Sequence, residues 1–189
     1  MNLPEILQQH FNYAPLQKID PNTQSVINNK VTGASAFGQA AIPVILIGLY
    51  KLTRSDSGAQ AIISGEISAN WVQTIFSAQY QKIITSVADY ANNSYEDTER
   101  KLNQIAIRAV ELIKDTAAPD YKVIAIKEFI GNQRNNILTY LPGALHTGEL
   151  MNDTTLDDRT NKMEGPVSSL MQAISSGFTG SDREDKLEK

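Results

Sequence analysis

The chain has no cysteine among its 189 residues, and this absence excludes whole classes of structure and chemistry. Disulfide scaffolds, thiolate zinc sites, iron–sulfur clusters and cysteine nucleophiles all require that residue. Histidine is scarce too, because the sequence contains only 2, His10 and His146. A histidine-based site therefore has at most these two side chains to draw on.

The sequence also lacks a surplus of basic residues. Its 17 basic and 21 acidic side chains give a net charge of −4, and the acidic excess lies in residues 149–189. A chain without a broad cationic face is poorly suited to neutralising phosphates, so we expect no nucleic-acid partner. The first residues lack the basic and apolar regions of a secretory signal, which makes a cytoplasmic location the default expectation.

A long apolar run is missing as well. The strongest run covers residues 40–50, and a helix that spans a membrane needs roughly 20 apolar residues. The wider segment 34–52 is apolar on all sides, which is typical of a helix buried at the centre of a domain. Within it, Pro43 predicts a kink or a fresh helix start near Ala41, and Gly48 leaves room for a neighbouring backbone. Membrane association through this segment is therefore expected to be unlikely.

What the sequence does contain is helical periodicity along most of its length, with no window of strand-like alternation. The pattern predicts an all-α protein, a multi-helix bundle. Its clearest part is a long antiparallel hairpin over residues 70–115, with helices at 70–91 and 95–114 and Ser94 as the N-cap of the second. The apolar stripe of the first helix consists of Val72, Ile75, Phe76, Tyr80, Ile83, Ile84 and Val87.

The same pattern predicts a single helical domain over residues 1–178 and a flexible tail at 179–189. The predicted parts of the domain are an apolar N-terminal subregion (1–65), the hairpin plus a third helix (70–141), and an acidic loop with a short helix (142–178). The third helix is expected to begin at Pro119 and to kink or break in the polar run 132–136. Ser57 and Gln60 have the spacing of a capping box.

One segment is similar to a known family. Residues 41–49 read Ala-Ile-Pro-Val-Ile-Leu-Ile-Gly-Leu, and residues 57–62 read Ser-Gly-Ala-Gln-Ala-Ile. An apolar helix with one proline and a Gly-Leu end, followed by a Gly-Ala helix start, resembles the YidB-like bacterial family. The resemblance covers residues 1–65. It implies an all-helical bacterial protein of unknown function and brings no catalytic residues with it.

The candidate metal site lies around the second histidine and the acidic loop that follows. Its possible ligands are His146, Glu149, Asp153, Asp157 and Glu164. His146 and Glu149 are three residues apart, so on a helix they would share one face. Asp153, Asp157 and Glu164 match positions of a calcium-binding loop, but Asp158 stands where such loops carry glycine. A surface loop with an incidental histidine would have the same composition.

Three hypotheses about function follow from these features. The leading hypothesis is a soluble, non-enzymatic module that binds another protein, or itself as a homo-oligomer, through apolar helix faces. The alternatives are a metal-dependent hydrolase-type enzyme that uses His146, Glu149 and the acidic loop, and peripheral membrane association through residues 34–52. No cofactor is expected, because Gln39 stands where the phosphate-loop spacing of Gly33 and Gly38 would require lysine.

Overall fold

The computed structural model describes residues 1–20, 34–64, 70–117 and 122–150. Within these ranges the regular elements are all helices, which confirms the predicted all-α class. The described residues belong to one compact unit. The α-helices are α1 (Leu3–His10), α2 (Ala34–Leu52), α3 (Asp56–Ser64), α4 (Trp71–Phe76), α5 (Tyr80–Ala91), α6 (Tyr95–Ala117), α7 (Val123–Tyr140) and α8 (Thr147–Leu150).

The helix α2 lies at the centre of this unit, because α1, α4, α5, α6 and α7 all pack against it. Every residue from 36 to 49 is buried, as expected for a central helix. By length and composition alone, Ser35–Leu52 also passes as a membrane span, with a mean hydropathy of 1.4 and 78% of it buried in the fold. The helix is longer than its strongest apolar run, residues 40–50, because small and neutral residues extend it. Core helices of soluble proteins meet the same criterion.

Two predictions about α2 need correction. Pro43 lies inside one continuous helix, so the expected fresh start near Ala41 is wrong. Proline removes a single backbone bond, and the contacts of five neighbouring helices outweigh that loss. Gly48 does permit a close approach, but by side chains rather than by a backbone. A Cβ atom at Gly48 would lie 2.7 Å from ring carbons of Phe76 and would also overlap Ile75.

The predicted hairpin is present at its turn and in its second arm. Asn92 ends α5 in the left-handed conformation, with φ 51° and ψ 48°. The hydroxyl of Ser94 then accepts a hydrogen bond from the amide of Asp97 at 3.2 Å, which confirms the predicted N-cap. Hydrogen bonds from Lys101 and Arg100 hold the pKa of the Asp97 carboxyl below its usual value. These contacts define the end of α5 and stabilise the first turns of α6.

The first arm of the hairpin differs from the single helix predicted over residues 70–91. Helix α4 ends at Phe76, a 3₁₀ turn covers Ser77–Gln79, and α5 begins at Tyr80. Ser77 has φ 46° and ψ −114°, a region that residues other than glycine rarely adopt. Apolar spacing continues through this break, so periodicity cannot reveal it.

The third predicted helix is α7, and it passes through residues 132–136 without a break. The expected break is wrong, because this polar run has a tertiary partner. Gln133 is buried, and its Oε1 accepts hydrogen bonds from the Leu3 amide at 3.1 Å and from Nδ2 of Asn136 at 3.3 Å. The polar run therefore caps the start of α1.

The remaining differences between the predicted and the observed helices lie at their first residues. Helix α3 begins at Asp56, and the hydroxyl of Ser55 accepts a hydrogen bond from the amide of Gly58 at 3.0 Å. Ser55 is therefore the cap, and the predicted capping box at Ser57 is wrong. The predicted start at Pro119, the short helix in 142–178 beyond residue 150, and the tail at 179–189 lie outside the described residues.

Gly131 in the middle of α7 gives a stability prediction. It is exposed, and a Cβ atom there would meet no other atom within 4 Å. Glycine inside a helix is less stable than alanine by about 0.5–1 kcal/mol. The substitution Gly131→Ala should raise the free energy of unfolding by about that amount, as measured by urea denaturation. A lower unfolding free energy would contradict the helical conformation assigned to this residue.

Candidate functional site

Buried amide side chains in this fold join secondary-structure elements. The Oε1 of Gln39, on α2, accepts a hydrogen bond from the amide of Gln17 at 2.7 Å. Its Nε2 donates to the carbonyl of Gln17 at 3.0 Å and to the carbonyl of Tyr140 at 2.7 Å. Gln39 thus links the centre of the bundle to the chain after α1 and to the end of α7, which is a structural task.

A second polar cluster lies where α4, α5 and α6 meet. The hydroxyl of Tyr80 donates a hydrogen bond to Oε1 of Glu99 and accepts one from Nδ2 of Asn70 at 2.8 Å. One turn further along α6, Oδ1 of Asn103 accepts a hydrogen bond from the amide of Trp71 at 2.8 Å. Burial, assisted by the bond to Glu99, raises the pKa of the Tyr80 phenol above its usual value. Tyr80 is therefore a hydrogen-bond donor that ties three helices together.

His146 lies at the edge of an open hollow of about 530 Å³. The residue is exposed, has φ 45°, and ends the 3₁₀ turn that precedes α8. His146 does not share a helix with Glu149 as predicted, because α8 begins only at Thr147. The hollow is lined by Gln81, Lys82, Thr85, Ser86, Asp89, Leu145 and His146.

The structure does not describe the predicted acidic ligands. The side chain of Glu149, and the whole of Asp153, Asp157 and Glu164, fall outside the described residues. Among the residues that are described, no group of three or more histidine, aspartate or glutamate side chains is placed to hold a metal ion. The metal-site hypothesis therefore stays a prediction.

A metal titration tests that hypothesis. A cation that binds only the folded chain raises the melting temperature as its concentration exceeds the dissociation constant. If the acidic loop and His146 form a site, CaCl₂ or MnCl₂ should raise the melting temperature, and His146→Ala should remove part of the shift. The absence of a shift with either salt would eliminate the site.

The hollow also gathers a combination that sequence reasoning missed. Ser86 and Asp89 lie on α5 and share the hollow with His146. These are the side-chain types of a hydrolytic triad, in which the base must reach the hydroxyl. The Ser86 hydroxyl instead donates to the carbonyl of Leu145 at 3.4 Å. In the described part of the chain, no hydrogen bond joins His146 to either partner, so the arrangement does not activate Ser86.

A different feature appears on the outer side of α7. Ile124 and Met1 are the exposed large hydrophobic residues in the described ranges, and each is 58% exposed. Gly131 follows Ile124 by seven residues, which places it about 10.5 Å along the helix and about 20° around it. Glu128 and Asn135 are exposed on the same line. We call Ile124, Glu128, Gly131 and Asn135 the outward face of α7.

A hollow of about 320 Å³ adjoins this face at Gly131. Its other lining residues are Tyr50, Thr53, Arg54 and Lys127. Lys127 forms an ion pair with Asp56 at 2.5 Å, and the Asp56 side chain is 83% exposed. Because Gly131 has no side chain, the backbone of α7 forms one wall of the hollow.

The tyrosines give a prediction about alkaline pH. Burial is the main cause that raises the pKa of Tyr13, Tyr80, Tyr90, Tyr95 and Tyr140 above the usual value of 10.0. A group with a raised pKa in the folded state stabilises the fold below its unfolded pKa, and this contribution is lost as pH rises through the folded pKa. The urea midpoint should therefore fall steeply above about pH 10. A midpoint that stays constant from pH 9 to pH 11 would contradict this.

Comparisons with known proteins add no precedent for these features. The resemblance of residues 1–65 to the YidB-like family stays a prediction, since no finding bears on it. The candidate sites therefore have to be judged on their geometry. No family model, curated protein or solved structure matches this chain.

Proposed function

We propose that this chain is a non-enzymatic module that binds another protein through the outward face of α7. The observation that carries the proposal is the pairing of an exposed isoleucine with a glycine that internal packing does not require. Ile124 leaves apolar surface in water, and Gly131 weakens the helix that contains it. A partner that covers Ile124 and approaches closely at Gly131 would turn both features into favourable contacts.

The shape of the face suits a helix from the partner. Helical segments bind through anchors spaced by one or two turns, and Ile124 and Gly131 have the two-turn spacing. A residue without a side chain lets two helix axes come close, so that a large apolar side chain of the partner can enter beside it. The hollow next to Gly131, with Tyr50 and Arg54 on its walls, has space for such a side chain.

The charge on the face favours a different protein over a second copy. Glu128 is exposed between Ile124 and Gly131. A two-fold pair of α7 helices that set Ile124 over Gly131 would bring the two Glu128 carboxylates together, and like charges at short distance repel. A lysine or arginine of a partner at this place would form an ion pair instead. The proposed partner therefore presents an amphipathic helix with a basic residue beside its apolar anchor.

The test uses three variants of the full chain. Ile124→Ser removes the anchor, Gly131→Leu blocks the close approach, and Gln104→Ser changes an exposed residue of α6 as a matched control. A protein captured by the wild-type chain is purified, and its affinity for each variant is measured by calorimetry. Loss of one buried isoleucine contact should weaken binding by about tenfold to a hundredfold. The control should leave the affinity unchanged.

Two results would contradict the proposal. If light scattering shows a dimer that Ile124→Ser dissociates, the partner is a second copy and the charge argument is wrong. If every captured protein binds Ile124→Ser and Gly131→Leu as tightly as wild type, the outward face of α7 is not the contact surface. The melting temperature of Ile124→Ser should remain close to wild type because Ile124 is exposed, and Gly131→Leu should melt at the same temperature or slightly higher because leucine is a better helix former than glycine.

A further inference from the structure

We propose that α4 is a lid that swings away from α2 about a hinge at Ser77. In the closed form, which the structure shows, α4 packs against α2 beside Gly48. In the open form, α4 continues the axis of α5 and uncovers that part of α2. The outward face of α7 plays no part in this proposal.

The local sequence favours the open form. Ser77, Ala78 and Gln79 form the break, yet none of them is a glycine or a proline. Alanine and glutamine are good helix formers. The apolar residues on either side, such as Phe76 and Ile83, keep the spacing of one continuous amphipathic helix. Nothing in the local sequence therefore requires a helix to end at Phe76.

The closed form contains a strained residue. Ser77 has φ 46° with ψ −114°, which lies outside the left-handed helical region as well as the ordinary ones. Its carbonyl accepts hydrogen bonds from Nε2 of Gln73 at 3.2 Å and from the amide of Tyr80. Such a backbone conformation persists only where surrounding contacts impose it. The bend is therefore imposed by tertiary structure.

Polar contacts hold the bend together with the burial of Trp71, Val72 and Phe76. Nδ2 of Asn70 donates to the hydroxyl of Tyr80 at 2.8 Å, although ten residues separate the two. On a straight helix they would lie about 15 Å apart along the axis, farther than these side chains can bridge. The Tyr80 hydroxyl in turn donates to Glu99 on α6. The bond between Asn70 and Tyr80 can exist only while α4 is bent back, so it acts as the latch of the lid, and the bond to Glu99 holds the Tyr80 hydroxyl in place.

The surface of α2 under the lid has a shape that fits α4 in the closed form. Ring carbons of Phe76 would lie 2.7 Å from a Cβ atom at Gly48, so α4 can close only because that residue is glycine. A hollow of about 290 Å³ adjoins this contact and is lined in part by Leu52, Ile75 and Ser77. When α4 swings out, this hollow joins the surface that Phe76 covers and becomes one apolar groove on α2.

The cysteine-free sequence allows a direct measurement. Val72 on α4 and Ala109 on α6 are both 0% exposed. A thiol introduced by Val72→Cys reacts with a soluble disulfide reagent only when α4 opens, whereas one introduced by Ala109→Cys reports unfolding of the hairpin. We expect Val72→Cys to react at least about tenfold faster, and with a weaker dependence on urea, because lid opening exposes less surface than unfolding does.

Two further substitutions, each combined with Val72→Cys, test the hinge and the latch. Ser77→Gly allows φ 46° without strain, and it should slow labelling at least about fivefold. Tyr80→Phe removes the latch, and it should speed labelling about tenfold. Tyr90→Phe, the same chemical change near the other end of α5, should leave the rate unchanged.

The labelling rates distinguish the lid from global unfolding. Equal labelling rates for the two cysteine variants, with the same urea dependence, would show that α4 opens only when the fold is lost, and the lid would be ruled out. Unequal rates that Ser77→Gly does not slow would overturn Ser77 as the hinge. The single tryptophan, Trp71, is 2% exposed on α4, so acrylamide quenching of its fluorescence provides an independent readout. Quenching should rise in Tyr80→Phe and fall in Ser77→Gly.

Discussion

The substitution Ile83→Asp should abolish cooperative folding at room temperature. Ile83 lies on the inner side of α5 and is 1% exposed in the main hydrophobic core. Removing a buried isoleucine side chain costs about 2–5 kcal/mol, and an unpaired carboxyl group in its place adds several more. The sum matches the whole stability of a typical domain, about 5–15 kcal/mol. Circular dichroism at 222 nm and the loss of a thermal transition would report the result.

A matched control separates the effect of burying a carboxylate from the effect of adding one to α5. Gln81→Asp places the same carboxylate on the same helix, two residues earlier, at an exposed position. The free energy of unfolding of Gln81→Asp should stay within about 0.5 kcal/mol of the wild-type value. If Ile83→Asp also retained wild-type stability, the assignment of the inner face of α5 would be wrong.

Local sequence signals were sufficient for much of the fold. The apolar spacing in α5 predicted which face is buried, and Ile83, Ile84 and Val87 are each at most 1% exposed. The turn between α5 and α6 was also readable, because Ser94 caps α6 through its own hydroxyl. The signals that worked depend on residues within a few positions of each other. The positions of the helices and the antiparallel arrangement of the hairpin follow from such short-range rules.

The predictions that failed depend on contacts between distant residues. The break at Ser77 is held by Asn70, Tyr80 and Glu99, and Glu99 lies on a different helix. The polar run in α7 stays helical because Gln133 bonds the amide of Leu3, which is 130 residues away. No local pattern records either partner. From a single sequence, the positions of helices can therefore be predicted well, but the positions where helices break cannot.

The candidate sites show the same division. His146 was noticed for its chemistry, but its helix-face relation to Glu149 fails because the chain turns at His146. Ser86 and Asp89 share its hollow through tertiary folding alone. On α7, the role of Gly131 depends on the open space around it. Exposure and open space depend on how the chain packs. The outward face of α7 could therefore be recognised only from the structure.

Replacing Gln39 with leucine should lower the free energy of unfolding by about 2–4 kcal/mol, although leucine fits an apolar helix better. Gln39 is 1% exposed within α2, and its amide makes three hydrogen bonds to backbone groups. Water can replace the two bonds to the partly buried Gln17. The carbonyl of Tyr140 is buried, however, and it would lose this donor without replacement. A protein of this size should then melt about 5–15 °C lower.

The position of the loss would identify its cause. Because Gln39 holds the chain around Gln17 and the end of α7, hydrogen exchange in Gln39→Leu should accelerate there first and leave α6 protected. Gln104→Leu makes the same chemical change at an exposed residue in the middle of α6 and should shift stability by no more than about 0.5 kcal/mol. A Gln39→Leu variant as stable as wild type would mean that apolar burial in α2 compensates for all three bonds. In that case Gln39 would contribute to the arrangement of α2 with its neighbours rather than to the stability of the fold.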